Sequence, residues 1–248
     1  MSRPVRLAMF GLAGGVTAVL LVLAAFALPG FGGSRHPYRD AAVPAAVRHA
    51  TPNVISSINF DLRGLDTLGE ETILLASVVG VVVLLRPAAD ERVREPRIGG
   101  RLLDGTRLFG YLFLPITTTI GLLTVAHGAL TPGGGFQGGV VIGTGLHLLY
   151  VAGSYRALKR VRHLEVFEYG EALGAGAFAC FGVATGLVSG AFLANVLPLG
   201  SFGDLFSSGS VLLLNCSVGI EVASGVMVLL AQFLAQDIEV EQAEGAKR

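Results

Sequence analysis

Six stretches of this 248-residue chain are too long and too apolar for a water-soluble fold. They run Leu7–Leu28, Leu68–Leu85, Leu108–Ala126, Phe136–Tyr155, Ala172–Leu193 and Ser210–Leu234. A helix rises about 1.5 Å per residue, so about 20 apolar residues cross the roughly 30 Å hydrocarbon core of a bilayer. That core supplies no water to unpaired backbone groups, and a helix satisfies all of its own. The composition agrees. Charged residues make up 15% of the chain, against about 25% in soluble domains. The 35 glycines also fit membrane helices, where glycine is more frequent than in soluble ones. The expected fold is all-α: a polytopic membrane protein of about six transmembrane helices, with the lipid bilayer as its solvent.

Charge placement sets the expected orientation. With the N-terminus inside, the cytoplasmic segments hold Arg3, Arg6, Arg86, Arg92, Arg94, Arg97, Arg101, Arg107, Arg156, Lys159, Arg160, Arg162, Lys247 and Arg248. The outer segments hold only Arg35, Arg39, Arg48 and Arg63 of the 18 basic residues. This asymmetry satisfies the positive-inside rule and predicts six spans with both termini cytoplasmic. Arg3 and Arg6 before an apolar run, with Ala25-Phe26-Ala27 at its end, have the look of a secretory leader. The run is 22 residues long, however, against about 7–15 for a leader's apolar region. A retained helix is the expectation. Formal net charge is zero, which predicts no nucleic-acid partner.

Two sections follow from these positions. Residues 1–86 hold two helices around a long polar outer loop, Pro29–Asp66, and residues 87–106 form a charged cytoplasmic linker. Residues 107–248 hold four helices with short connections and an acidic tail, Asp237 to Glu244, expected to fray into solvent. No tandem repeat is visible.

The most distinctive local run is TPGGGFQGG, Thr131–Gly139. Its glycines match GxGxxG, but no strand precedes them and no GK[ST] follows, so neither a dinucleotide site nor a P-loop is expected. Pro132, Gly133 and Gly134 instead read as a tight outer turn opening the fourth span. Gly135, Gly139 and Gly143 then fall four apart on one helix face, a ridge that lets another backbone approach closely. Gly182, Gly186 and Gly190 repeat the spacing on the fifth span.

Ionisable groups inside spans are costly and each is a functional candidate. Glu221 lies near the middle of the sixth span, where it reads either as a proton or cation relay or as a paired or neutral group pinning helices together. His147, inside the fourth span, could pair with Glu221 if their helices pack; a hydrogen-bonded structural role is the plainer reading. His127 reads as interfacial. Asp66 is a plausible N-cap for the second span, with Glu70 and Glu71 in the first turns. Glu70, four residues beyond Asp66, faces much the same side, and Arg63 lies seven before it. Glu171 reads as a dipole-complementing acid at the start of the fifth span. Cys180 and Cys216 sit in apolar runs and read as small buried hydrophobes. Without CxxC, a Cys/His cluster, GxSxG or HExxH, no metal site, cofactor or enzyme activity is expected. Six helices without an inverted repeat do not make a lone alternating-access transporter.

Two stretches carry a resemblance. HGALTPGGGFQGGVVIG, His127–Gly143, resembles the signature of the B subunit (MnhB/MrpB-like) of Mrp-type multisubunit Na⁺/H⁺ antiporters and its counterpart in membrane-bound hydrogenases. NFDLRGLDTLGEETILLASVVGVVVL, Asn59–Leu84, resembles the C-terminal end of the Mrp A subunit, with its FRGxDTxGE run. The chain thus looks like both modules in one polypeptide, and the resemblance covers nearly all of it. It implies a subunit of a hetero-oligomer in a prokaryotic plasma membrane, with other Mrp-type or hydrogenase-type membrane subunits as partners and Na⁺ and H⁺ as transported ions. Glu70 matches the glutamate of the DTxGE run, and Glu221 falls in a stretch similar to the last helix of B subunits. Two alternatives stay open: the equivalent subunit of a redox-driven ion pump, and a purely structural assembly subunit.

Overall fold

The computed structural model describes residues 3–28, 32–34, 36–85, 104–151 and 164–245. Every regular element among them is helical: α1 Arg3–Ala27, α2 Pro37–Arg48, α3 Val54–Ser57, a π-helical turn Ile58–Leu62, α4 Gly64–Leu84, α5 Asp104–Ala126, α6 Gly135–Val151, α7 Leu164–Ser189 and α8 Val211–Gly245. Five of these helices, α1, α4, α5, α7 and α8, contain a segment long and apolar enough to cross a membrane. The expected fourth span, Phe136–Tyr155, corresponds to α6, whose described helix is 17 residues long. All but the last three residues of the 87–106 linker, and the connection carrying Arg156 to Arg162, lie outside the described residues.

The chain forms two compact units, Met1–Ala41 and Ala42–Arg248. In the first, α1 exposes its Leu, Val and Phe side chains along its whole length. Such an all-round apolar surface carries no penalty in a bilayer.

In the second unit α8 is the axis. Val211, Leu214, Val218, Val222, Met227 and Val228 are buried along it. Helices α4, α6 and α7 pack against it, and α5 packs on α6. Small residues make the close approaches possible. A Cβ added at Gly135 would lie 2.6 Å from Val218 Cβ, one at Gly139 2.8 Å from Val222 Cβ, and one at Gly143 2.8 Å from Val226 Cγ1. The predicted Gly135–Gly139–Gly143 ridge therefore seats directly on α8.

Other expectations change. Gly182 does not meet a helix: an added Cβ there would run into the Phe192 ring, with Gly186 beside the Phe192 backbone. Gly190 lies past the end of α7 at φ +76° and has open space around it. Its N–H bonds the Gly186 carbonyl at 3.0 Å, so it terminates the helix as glycine commonly does. The polar outer loop is largely helical, because Asn53 caps α3 and α2 carries Asp40 in its first turn and Arg48 in its last, the arrangement that suits a helix dipole. The acidic tail is helical to Gly245; its Ala, Glu and Gln residues are strong helix formers.

Candidate functional site

Helix α4 begins at Gly64, earlier than the apolar run alone suggests, with Arg63 at φ −139° marking its break from the π-helical turn. Asp66 is consequently not an N-cap but a first-turn residue, exposed and ion-paired to Arg63. The early start also fixes which residues face inward. Gly64, Thr67, Glu71 and Val78 are buried, a stripe at spacings of three, four and seven. Glu71 is fully buried. Glu70, its neighbour, is turned to the exposed face.

Opposite that stripe, α8 presents Glu221, also fully buried. The two carboxyl groups lie within reach of one another. A third comes from α7. Here Gly174 allows the approach: a Cβ on it would lie 2.7 Å from both Glu221 Cβ and Glu221 N. One turn before it, Glu171 is 4% exposed. Its carboxyl reaches α8 at Gly225, where an added Cβ would stand 3.3 Å from Glu171 Oε1 and 3.3 Å from Val78 Cγ2. Glu171 is in electrostatic range of Glu221 on one side and Glu168 on the other.

Both oxygens of Glu71, both of Glu221, and Oε1 of Glu171 are buried without a hydrogen-bond partner. No basic side chain forms an ion pair with any of the three among the described residues. An unpaired carboxylate in such surroundings costs several kcal/mol. Groups so placed exist as acids, share a proton, or hold a cation between them. Among the described residues no set of three His, Cys, Asp or Glu groups is arranged to hold a metal ion.

An apolar layer covers the cluster on the side of the α7–α8 loop. Phe60 and Phe178 meet at 6.3 Å between ring centroids, packed with Leu193, Val211, Leu214 and Val218. Among these residues on α8 stands a polar knot centred on the fully buried Asn215. Its Oδ1 accepts from Gly135 N–H at 2.9 Å, capping α6 from another helix. Its Nδ2 donates to Ser56 Oγ at 3.0 Å and to Val211 O at 2.9 Å. The turn before α6 folds around this amide. Gly133 and Gly134 adopt φ +126° and +145°, and an added Cβ at Gly134 would lie 2.5 Å from Asn215 Oδ1. Pro132 sits in that turn, and Asn53 Nδ2 donates to Gly128 O and Thr131 O, both at 2.8 Å.

His147 does not join the cluster. Helices α6 and α8 do pack, but Gly139 meets Val222 and Gly143 meets Val226, so His147 lies a further turn away from Glu221, with its Nδ1 on the Gly143 carbonyl at 3.0 Å. His127 Nδ1 likewise meets Leu123 O, at 2.9 Å. Of the predicted ion-path residues, Glu221 is thus in the cluster, while Glu70, Asp66 and His147 lie outside it. Sequence reasoning misses Glu71, Glu171 and Asn215 as site residues. Glu71 is legible in the three-four-seven stripe once α4 starts at Gly64. Glu171 is hidden because α7 starts at Leu164, two turns before it, and not at Ala172.

Residues 106–228 match a family described as a domain related to the MnhB subunit of Na⁺/H⁺ antiporter. An uncharacterized protein of Methanocaldococcus jannaschii is 28% identical over 211 residues, covering 77% of this chain and 80% of its own length. A probable K⁺/H⁺ antiporter A/B subunit of Rhizobium meliloti is 30% identical over 125 residues, which are 42% of this chain but 12% of that protein. Among solved structures, a chain of the membrane-bound sulfane sulfur reductase, an archaeal respiratory membrane complex, superposes with a TM-score of 0.72 at 25% identity, covering 91% of this chain and 97% of that one. A chain of the Mrp complex from a Dietzia species shares the fold, with a TM-score of 0.68 at 23% identity, over 94% of this chain and 26% of that one.

Proposed function

Because residues 106–228 match the MnhB-related family, we propose that this chain is a membrane subunit of the Mrp antiporter type and contributes an ion-conducting site to a complex exchanging a monovalent cation, Na⁺ in the first instance, for H⁺. The site is the Glu71–Glu221 contact. The observation that carries this reading is the burial of two carboxyl groups against each other with no basic side chain paired to either among the described residues. Two acids so placed can hold one proton or one cation between them. The two acids come from the two sequence modules, one resembling the A-subunit terminus and one the B subunit, so the site exists only where these meet. The chain acts as part of a hetero-oligomer with other membrane subunits, in the plasma membrane of a prokaryote with both termini inside. Glu70 and Asp66 lie on the exposed side of α4, where neighbouring subunits would meet this chain.

The test is Glu71→Gln and Glu221→Gln in the assembled complex, with cation-driven proton movement followed in inverted vesicles. Both variants assemble, and each loses at least tenfold in rate. Normal rates in both assign the acids to packing and leave an assembly subunit.

A second reading has its own support. The respiratory-complex chain is matched over 97% of its length, against 26% for the Mrp chain. That end-to-end match favours service in a redox-driven pump, where the same site would move ions on energy supplied elsewhere. Subunits co-purified in mild detergent decide between the two: large antiporter-like subunits alone, or iron–sulfur subunits with them.

A further inference from the structure

The surroundings of the buried acids are unequal on their two sides. Toward the α7–α8 loop lie the Phe60–Phe178 contact, Leu193, Leu214 and Val218, and among them the closed amide knot of Asn215. The polar groups on that side are hydroxyls and an amide, Thr67, Ser57 and Ser217 among them, and Thr67 is closed onto Asn59 O at 2.7 Å. Toward the start of α7 the situation reverses. Glu171 is buried one turn from Glu221, at Gly225. Glu168 and Glu165 follow at steps of three residues and are exposed. Residues three apart are neighbours on a helix face, so Glu165, Glu168 and Glu171 form a rail from solvent to the buried pair. Gly170 and Gly174, which pack on Ser224 and Glu221, hold this face of α7 against α8. Ser224 itself is 7% exposed and supplies the hydroxyl nearest the rail.

Resting on the site assigned above, we propose that the Glu71–Glu221 pair exchanges protons from one side only, the side of the α7 N-terminus, with Glu171 as the gating carboxyl. Glu168, as the acid, passes its proton to the Glu171 carboxylate and is left ionised; Glu171 passes the proton to the Glu221 carboxylate and is left ionised in turn. The proton ends shared between Glu221 and Glu71. Release runs the same steps backward. Glu70, exposed beside Glu71, is the other carboxylate in electrostatic range of the pair and takes no step in this relay. Glu171 is a positioning and relay residue of the site, where its place in the sequence suggested only a helix-dipole role.

The test uses the whole complex in lipid. The infrared carbonyl band of the buried acids is assigned as the component missing in Glu221→Gln, and its shift on transfer to D₂O gives the exchange rate. In Glu171→Gln the complex assembles and keeps the band, but exchange and transport both slow at least tenfold. Glu171→Asp restores part of both, and Glu70→Gln leaves the exchange rate unchanged. An unaltered exchange rate in Glu171→Gln overturns the relay while leaving the site intact if Glu71→Gln and Glu221→Gln still abolish transport. Exchange slowed by Glu70→Gln as strongly as by Glu171→Gln overturns the one-sided route. Normal transport in Glu71→Gln and Glu221→Gln removes the site itself.

Discussion

Replacing Asn215 by Ala tests whether one buried amide holds the α6 end of this helix bundle at the Gly133–Gly135 turn. The side chain is fully buried and makes three hydrogen bonds. The bond to Val211 O lies within α8, and its loss leaves a carbonyl that keeps its own helical partner. The other two join separate elements. Interhelical hydrogen bonds in membranes average about 0.6 kcal/mol, so losing the Ser56 bond costs about that much. Losing the bond at Gly135 is worse, because the first N–H groups of a helix have no internal acceptor. A buried donor left without a partner costs about 1–3 kcal/mol. The sum is about 2–4 kcal/mol, or roughly 30- to 1,000-fold in the folded-to-unfolded ratio. Titration of the purified protein from mild detergent into SDS, followed by far-ultraviolet circular dichroism, reads this directly. Ser56→Ala should cost only about 0.6 kcal/mol. A shift below about 0.5 kcal/mol for Asn215→Ala would refute the trans-cap, since surface-like substitutions fall in that range. Equal losses for Ser56→Ala and Asn215→Ala would move the weight to the Ser56 bond instead.

Further substitutions follow the same geometry. Gly139→Val places a side chain 2.8 Å from Val222 Cβ and should destabilise the α6–α8 contact by about 1–3 kcal/mol, whereas Gly80→Ala, with open space at the added Cβ, should leave the denaturation midpoint unchanged or slightly raised. Gly190→Ala forces a side chain into φ +76° and should cost about 1–2 kcal/mol in the same titration. His49 Nδ1 meets Asp61 Oδ2 at 2.5 Å with Asp61 nearly buried, so His49→Ala should cost about 1–3 kcal/mol. Arg39→Ala, which breaks only the exposed pair with Asp40, should cost less than about 0.5 kcal/mol.

The helical class is legible in the sequence because the bilayer permits few alternatives to an apolar run of sufficient length. The glycine ridge of Gly135, Gly139 and Gly143 is legible too, since its periodicity is that of the helix it sits on. What hydrophobicity hides is a helix's polar first turns. Both α4 and α7 start several residues before their apolar runs, and the extra turns of α7 carry Glu171 into the interior. Shifting the start of α4 to Gly64 exchanges the roles of two adjacent residues: Glu71 turns to α8, and Glu70 to the exposed surface. Asn215 is hidden for another reason. Its partners, Ser56 and Gly135, lie 159 and 80 positions away, and no local pattern reports a contact of that range.

That long-range amide has a consequence for the covalent chain. Ser56 belongs to the first sequence module, Gly135 and Asn215 to the second, and every contact described between those modules is non-covalent. A break within residues 87–103 would sever none of them. The two pieces, synthesised separately, should find each other in the bilayer and clasp at Asn215, so that one polypeptide or two is a matter of genetic punctuation while the folded object stays the same.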